Sequence, residues 1–187
     1  MKLLPGMLLI LSAGIPLQAM AQEPATFGTW VDEKGVISLP KDYRSHWAHL
    51  GSWLIADTSA PGHGFHDVYV QPEAVAYFQK TGRFPDGAVI VKEVRQVKEG
   101  IKTTGQAQWA GDISIWFVMV KDSKGRFENS PHWSSGWGWA LFENTAPDRN
   151  VSKGFGSSCE ACHTPAKAQD WVFTEGYPTL NVLPQAQ

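Results

Sequence analysis

Ala88-Val89-Ile90-Val91-Lys92-Glu93-Val94-Arg95-Gln96-Val97 is the clearest strand in the chain. Val89, Ile90, Val91, Val94 and Val97 give it a β-branched spine. After a turn region at Gly100 to Gly105, Trp109 to Val120 reads as a second long strand. Working outward, Trp53 to Ala56 and Phe65 to Val70 read as two earlier strands. A Pro/Gly/Ser loop from Thr58 to Gly64 separates them. Pro72 opens a helix over Glu73 to Lys80, and Gly82 stops it. Trp137 to Phe142 is a short aromatic strand between two loops, Lys121 to Gly136 and Glu143 to Gly156. Nearer the start, residues 22–40 form an extended lead-in. Pro40 then opens a helix on which Tyr43, Trp47 and Leu50 recur at i, i+4 and i+7, with Gly51 at its end. His46 and His49 fall on that helix; no carboxylate or thiol joins them, so they read as exposed. The tail from Trp171 to Leu183 reads as ordered first and frayed later. With no internal repeat, the pattern is α+β, an antiparallel sheet with short helices.

The 187 residues suggest one domain. Met1-Lys2 followed by an apolar run to Leu17 and the small-x-small site Ala19-Met20-Ala21 reads as a secretory signal peptide over residues 1–21. Pro5, Gly6, Gly14 and Pro16 break that run, which argues against a membrane anchor, and nothing later is apolar enough to span. The expectation is an exported, periplasmic protein with a single domain over residues 22–187. A formal charge of -2 with no basic stripe argues against nucleic acid. Nine tryptophans and nine phenylalanines can wall a large flat cofactor or build an ordinary aromatic core.

Both cysteines lie in Ser158-Cys159-Glu160-Ala161-Cys162-His163. Two thiols three apart on a helical turn can add across the two vinyl groups of one haem. The following imidazole then meets the iron, so C-x-x-C-H reads as a c-type haem attachment. Ser158 is placed to cap the short helix that carries the motif. The alternatives are a disulfide or half a zinc site, and zinc wants more ligands than these two thiols supply.

Further stretches carry a family resemblance. They are Leu39-Pro40-Lys41-Asp42-Tyr43-Arg44, Val68-Tyr69-Val70 with Pro72-Glu73, and Thr81-Gly82 with Phe84 and Asp86-Gly87. Val91-Lys92-Glu93, Gly111-Asp112, Val120-Lys121-Asp122-Ser123-Lys124, Cys159-x-x-Cys162-His163, Val172-Phe173-Thr174 and Tyr177-Pro178 follow. In this order they resemble the cytochrome P-460 and cytochrome c′-beta family across nearly all of residues 22–187. The resemblance implies a homodimer built on an antiparallel sheet, with one haem c per chain. His163 would be the proximal iron ligand, and the other iron face would be open or weakly occupied. P-460 members resemble enzymes that oxidise hydroxylamine and bear an extra covalent bond from haem to a lysine. The c′-beta members lack the bond and bind gases such as nitric oxide.

Lys92 falls where the cross-linking lysine would be, between Ile90 and Val94 on one strand face. A desolvated amine there becomes a nucleophile; the other reading is a lysine guarding a sheet edge. Phe117 stands about where hydroxylamine-oxidising relatives carry a carboxylate, and it cannot relay a proton. His66 can compensate, or it is a hydrogen-bonded strand histidine. Met119, the one methionine after residue 21, is either a sixth iron ligand or core filler. Three functions stay open. Hydroxylamine oxidation, with electrons passed to a periplasmic acceptor, leads. A nitric oxide sensor or scavenger and a six-coordinate electron carrier follow.

Overall fold

The computed structural model describes residues 26–181; residues 1–21, read above as a signal peptide, and the last tail residues lie outside them. Six strands form one antiparallel sheet: β1 (Ala48–Ile55), β2 (Gly64–Val70), β3 (Val89–Lys102), β4 (Gly105–Lys121), β5 (Trp133–Ser134) and β6 (Trp137–Glu143). Their order is β1-β2-β3-β4-β6-β5, so β3 lies at the centre. The helices α1 (Thr26–Thr29), α2 (Tyr43–His46), α3 (Pro72–Thr81), α4 (Phe155–Ser158) and α5 (Glu160–His163) are short. The architecture is α+β, as the sequence indicates. No helix among the described residues is long and apolar enough to cross a membrane.

Period-two alternation gives the sheet two buried faces. One carries Val68, Val70, Ile90 and Met119, and it packs under Phe155, Cys159, Trp171 and Val172 from the C-terminal segment. The other carries Val89, Val91, Val118, Val120 and Phe142, packed against Val31, Ile37 and Tyr43 from the N-terminal lead-in.

Three local expectations need correction. The helix after Pro40 ends at His46, and the chain enters β1, where Ala48 pairs with Val70. Tyr43 and Leu50 therefore serve opposite cores instead of one helix face. Gly51 caps nothing: a Cβ there would sit 2.3 Å from the Gly176 carbonyl oxygen. Its lack of a side chain lets the 174–176 segment press onto β1 next to a register shift between His49 and Gly51. His46 and His49 are nonetheless exposed, as expected. The turn placed at Gly100 to Gly105 is tighter, because β3 runs on to Lys102 and β4 starts at Gly105. Besides these three, the lead-in holds the short helix α1 and the stretch read as a loop from Lys121 to Gly136 holds β5. α3 starts on Pro72 and ends where Gly82, at φ 70°, accepts the left-handed cap.

The reverse face buries one charge completely. Glu93 accepts Nε and Nη2 of Arg44 at 2.6 and 2.5 Å, Nη1 of Arg95 at 3.1 Å, and the Tyr43 hydroxyl. Trp116 Nε1 donates to that hydroxyl at 2.8 Å. Burial first, then the Glu93 carboxylate, pushes the Tyr43 phenol well above its ordinary value. Removing one partner of a buried pair leaves the others uncompensated and costs about 3 kcal/mol or more. Glu93→Ala is therefore expected to lower stability by about that much in a denaturant titration.

Candidate functional site

Cross-strand pairing lines up three rows on the face opposite Glu93. Val70, Ile90, Met119 and Trp139 form the first, Val68, Lys92, Phe117 and Leu141 the second, and His66, Val94 and Ile115 the third. The first and third rows lie four residues apart along a strand, about 13 Å. Over them the C-terminal segment closes a cavity of about 400 Å³. Its wall takes Ile90, Lys92, Phe117 and Met119 from the sheet, and Cys159, Cys162, His163, Val172 and Phe173 from the cover.

The attachment motif sits on the cover. α4 ends at Ser158, and Cys159 is the first residue before α5, which holds Cys162 and His163. Ser158 does not cap α5: its hydroxyl accepts the Lys153 N–H at 2.9 Å, which fixes the approach to α4 instead. Both thiols are free, Cys159 buried and Cys162 exposed. Burial pushes the Cys159 thiol up to about 11. Among the described residues no group of three or more His, Cys, Asp and Glu side chains could hold a metal.

His163 is prepared for one ligand role. Its Nδ1 donates to the Trp171 carbonyl at 2.8 Å. That fixes the tautomer and leaves the Nε2 lone pair for a metal. The ring meets Trp139 edge-on at 4.8 Å and lies 5.9 Å from Phe173. Burial pulls its pKa down, which keeps the imidazole neutral, as ligation requires.

Lys92 is not at an edge, because β3 is central. It faces the cavity between Ile90 and Val94, and the surface it keeps opens into that space. Phe117 is its direct cross-strand partner, with the ammonium 4.4 Å from the ring centre. Burial lowers the Lys92 pKa to about 8, partly opposed by Cys162 and Cys159, so the amine and the two thiols share one electrostatic environment.

His66 stands at the other end of the cavity and is only 7% exposed. Its Nε2 donates to the Gly62 carbonyl at 2.7 Å, which leaves Nδ1 as a bare acceptor with no partner. Burial holds its pKa below the ordinary value. Trp53, its cross-strand neighbour, carries a second unpaired buried atom, Nε1, a donor. The two alternatives weighed for His66 therefore combine: it is a hydrogen-bonded strand histidine and it also has a free acceptor. Met119 is buried in the first row beside Trp139, packs in the core and also forms part of the cavity wall.

Sequence reasoning therefore brought Lys92, Phe117, His66, Cys159, Cys162 and His163 to one cavity. It missed the Trp171 carbonyl, a backbone group with no residue-type signal. It also missed the wall roles of Trp53 and Trp139, visible only as aromatic abundance. The residues fit a haem. The cavity is apolar and flat-walled, one imidazole nitrogen is free to coordinate, two thiols stand beside it, and orphaned polar atoms lie at its far end. A search of the curated proteins found no match. A family model described as Cytochrome P460 matches residues 40–174, which take in every one of these side chains. The chain belongs to the cytochrome P460 family of haem proteins.

Proposed function

We propose that Cys159 and Cys162 hold one haem c per chain with His163 as the axial ligand, that Lys92 bonds to the edge of the macrocycle, and that the protein oxidises hydroxylamine. The observation that carries this reading is Lys92. A pKa of about 8 leaves about a tenth of the amine uncharged at pH 7, a few hundredfold more than an ordinary lysine has. The neutral amine is the nucleophile that such a bond needs; the new nitrogen–carbon bond replaces one N–H of the amine and one C–H of the ring, so two protons and two electrons must pass to an oxidant of the peroxide class. When bound, haem supplies an open iron site for a small nitrogen ligand and a reservoir for its electrons.

The chain's own side chains do the rest. Oxidising hydroxylamine to a neutral product releases one proton for every electron, so the cavity needs a base. No carboxylate lines it. His66 Nδ1, held as an acceptor by the Gly62 carbonyl, is the base on the wall away from His163. Ile115, Phe117 and Val94 keep that end dry. Electrons would leave to a periplasmic acceptor, consistent with the export signal read in residues 1–21. A homodimer would cover the β3–β4 ribbon, where Ile101 and Trp109 are exposed beyond the reach of β2 and β6.

One observation favours a second reading. Phe117 occupies the place of a proton-relaying carboxylate, and a dry apolar pocket suits nitric oxide binding without turnover.

Peptide mass spectrometry after proteolysis separates the two. Hydroxylamine oxidation predicts one haem peptide that joins the Cys159–His163 segment to the Lys92 segment. Recovery of unmodified Lys92 peptide in full yield would place the protein with the nitric oxide binders. Cys159→Ala with Cys162→Ala should abolish haem that survives denaturation.

The pH profile tests His66. Its pKa lies below 6.5 because burial disfavours the cation, so the base is present above that value and lost as pH falls through the lowered one. Hydroxylamine turnover should show an acid limb with a midpoint under 6.5. His66→Phe should cut the rate about 10²-fold or more and leave only the acid limb set by protonation of hydroxylamine itself, while nitric oxide still binds.

A further inference from the structure

Asp170 and Trp171 both have left-handed backbones, φ 59° and 67°, and neither is glycine. Asp170 ends the 3-10 turn Thr164–Gln169, a position where glycine or asparagine is usual. Capping explains one left-handed residue and leaves the second unexplained. A chain keeps two only where its surroundings over-determine them. Here they do. Trp137 Nε1 donates to the Asp170 carbonyl at 2.9 Å, and the Trp171 N–H donates to the Ala166 carbonyl at 2.9 Å. Trp171 packs edge-on against Phe155 at 5.3 Å. Lys121, the last residue of β4, reaches Asp170 Oδ1 at 2.6 Å, with only about a tenth of either side chain exposed. Asp170 Oδ2 is buried and has no partner, so the carboxylate leans on Lys121 for its charge. Lys121 is itself held 4.7 Å from the centre of the Trp137 ring.

All of this converges on one group, the Trp171 carbonyl that accepts the His163 Nδ1–H at 2.8 Å. We propose that Asp170 is a positioning residue for the axial histidine. Its ion pair with Lys121 latches the left-handed turn that aims the Trp171 carbonyl at Nδ1, and so sets how strongly His163 donates to the iron. A firm hydrogen bond at Nδ1 makes the imidazole more basic and the ligand stronger, which favours the oxidised metal. Release of the latch lets the carbonyl drift and weakens the donor. The inference rests on His163 as the haem ligand, and the wild-type protein checks that first. An iron–histidine stretching band in the resonance Raman spectrum of the ferrous protein must be present before any variant is compared, and its absence would count against the haem reading alone.

The test compares three variants carrying wild-type amounts of covalent haem. Asp170→Ala removes the ion pair and disfavours the left-handed backbone. Lys121→Met combined with Asp170→Asn removes both charges, leaves none buried alone, and keeps a residue that tolerates this conformation. Lys121→Arg keeps the pair. The first two should shift the iron–histidine band to lower frequency and raise the midpoint potential, and Lys121→Arg should restore both. Should Asp170→Ala not fold, the double variant carries the comparison. A folded double variant with the wild-type band and potential overturns the proposal, because the latch would then have no effect on His163.

Discussion

The period-two alternation of β3 is the constraint on which the rest depends. Lys92 and Glu93 are consecutive, both enclosed, and on opposite faces of a central strand. A slip of one residue would drive Glu93 into the apolar cavity and Lys92 among Arg44 and Arg95. Glu93 is matched to two guanidiniums and a phenol on its own side, so its network fixes the register that delivers Lys92 to the other. Ion pairs of this kind are weak contributors to net stability and better at specifying one arrangement. In this fold the specified arrangement is the placement of Lys92 on the cavity face.

Strand β4 extends the same logic to the cover. It supplies Phe117, opposite Lys92, and Met119 and Lys121 further along. Met119 packs beside Trp139, which touches His163, and Lys121 ties down Asp170 at the base of the turn behind His163. The group over the lysine and the group that braces the histidine thus belong to one rigid element. A shift of that strand would move both ends of the cavity together.

The long elements were legible in the sequence because β-branched density, Pro72 and Gly82 act locally. The attachment motif was legible because its chemistry requires fixed spacing. The segment from Tyr43 to Gly51 was not. Its apolar residues recur at helical spacing, yet Tyr43 is drawn to Glu93 fifty residues away, and Gly51 is reserved for the approach of Gly176. Both are tertiary demands, absent from any local window. The status of Lys92 was ambiguous for a related reason. Edge and centre look alike in one strand's composition, and strand order alone decided between a guard against aggregation and a buried amine. The brace on His163 was hidden more deeply, since it consists of a carbonyl and two backbone angles.

The distribution of acids sharpens the chemical argument. Glu93 lies behind the sheet, Asp170 behind the proximal turn, and none opens into the cavity. A carboxylate there would pair with Lys92, raise its pKa and hold it as the cation. Without one, burial lowers the pKa of the amine, and its cation meets the face of Phe117. On the function proposed, the absence of a carboxylate both removes an acidic proton relay and leaves Lys92 with no acid to pair with. A protein that needs both a nucleophilic lysine and a base must put the base out of the lysine's reach or make it one that is neutral at rest. His66, one row from Lys92 and with its pKa lowered by burial and then by that lysine's charge, meets the second condition.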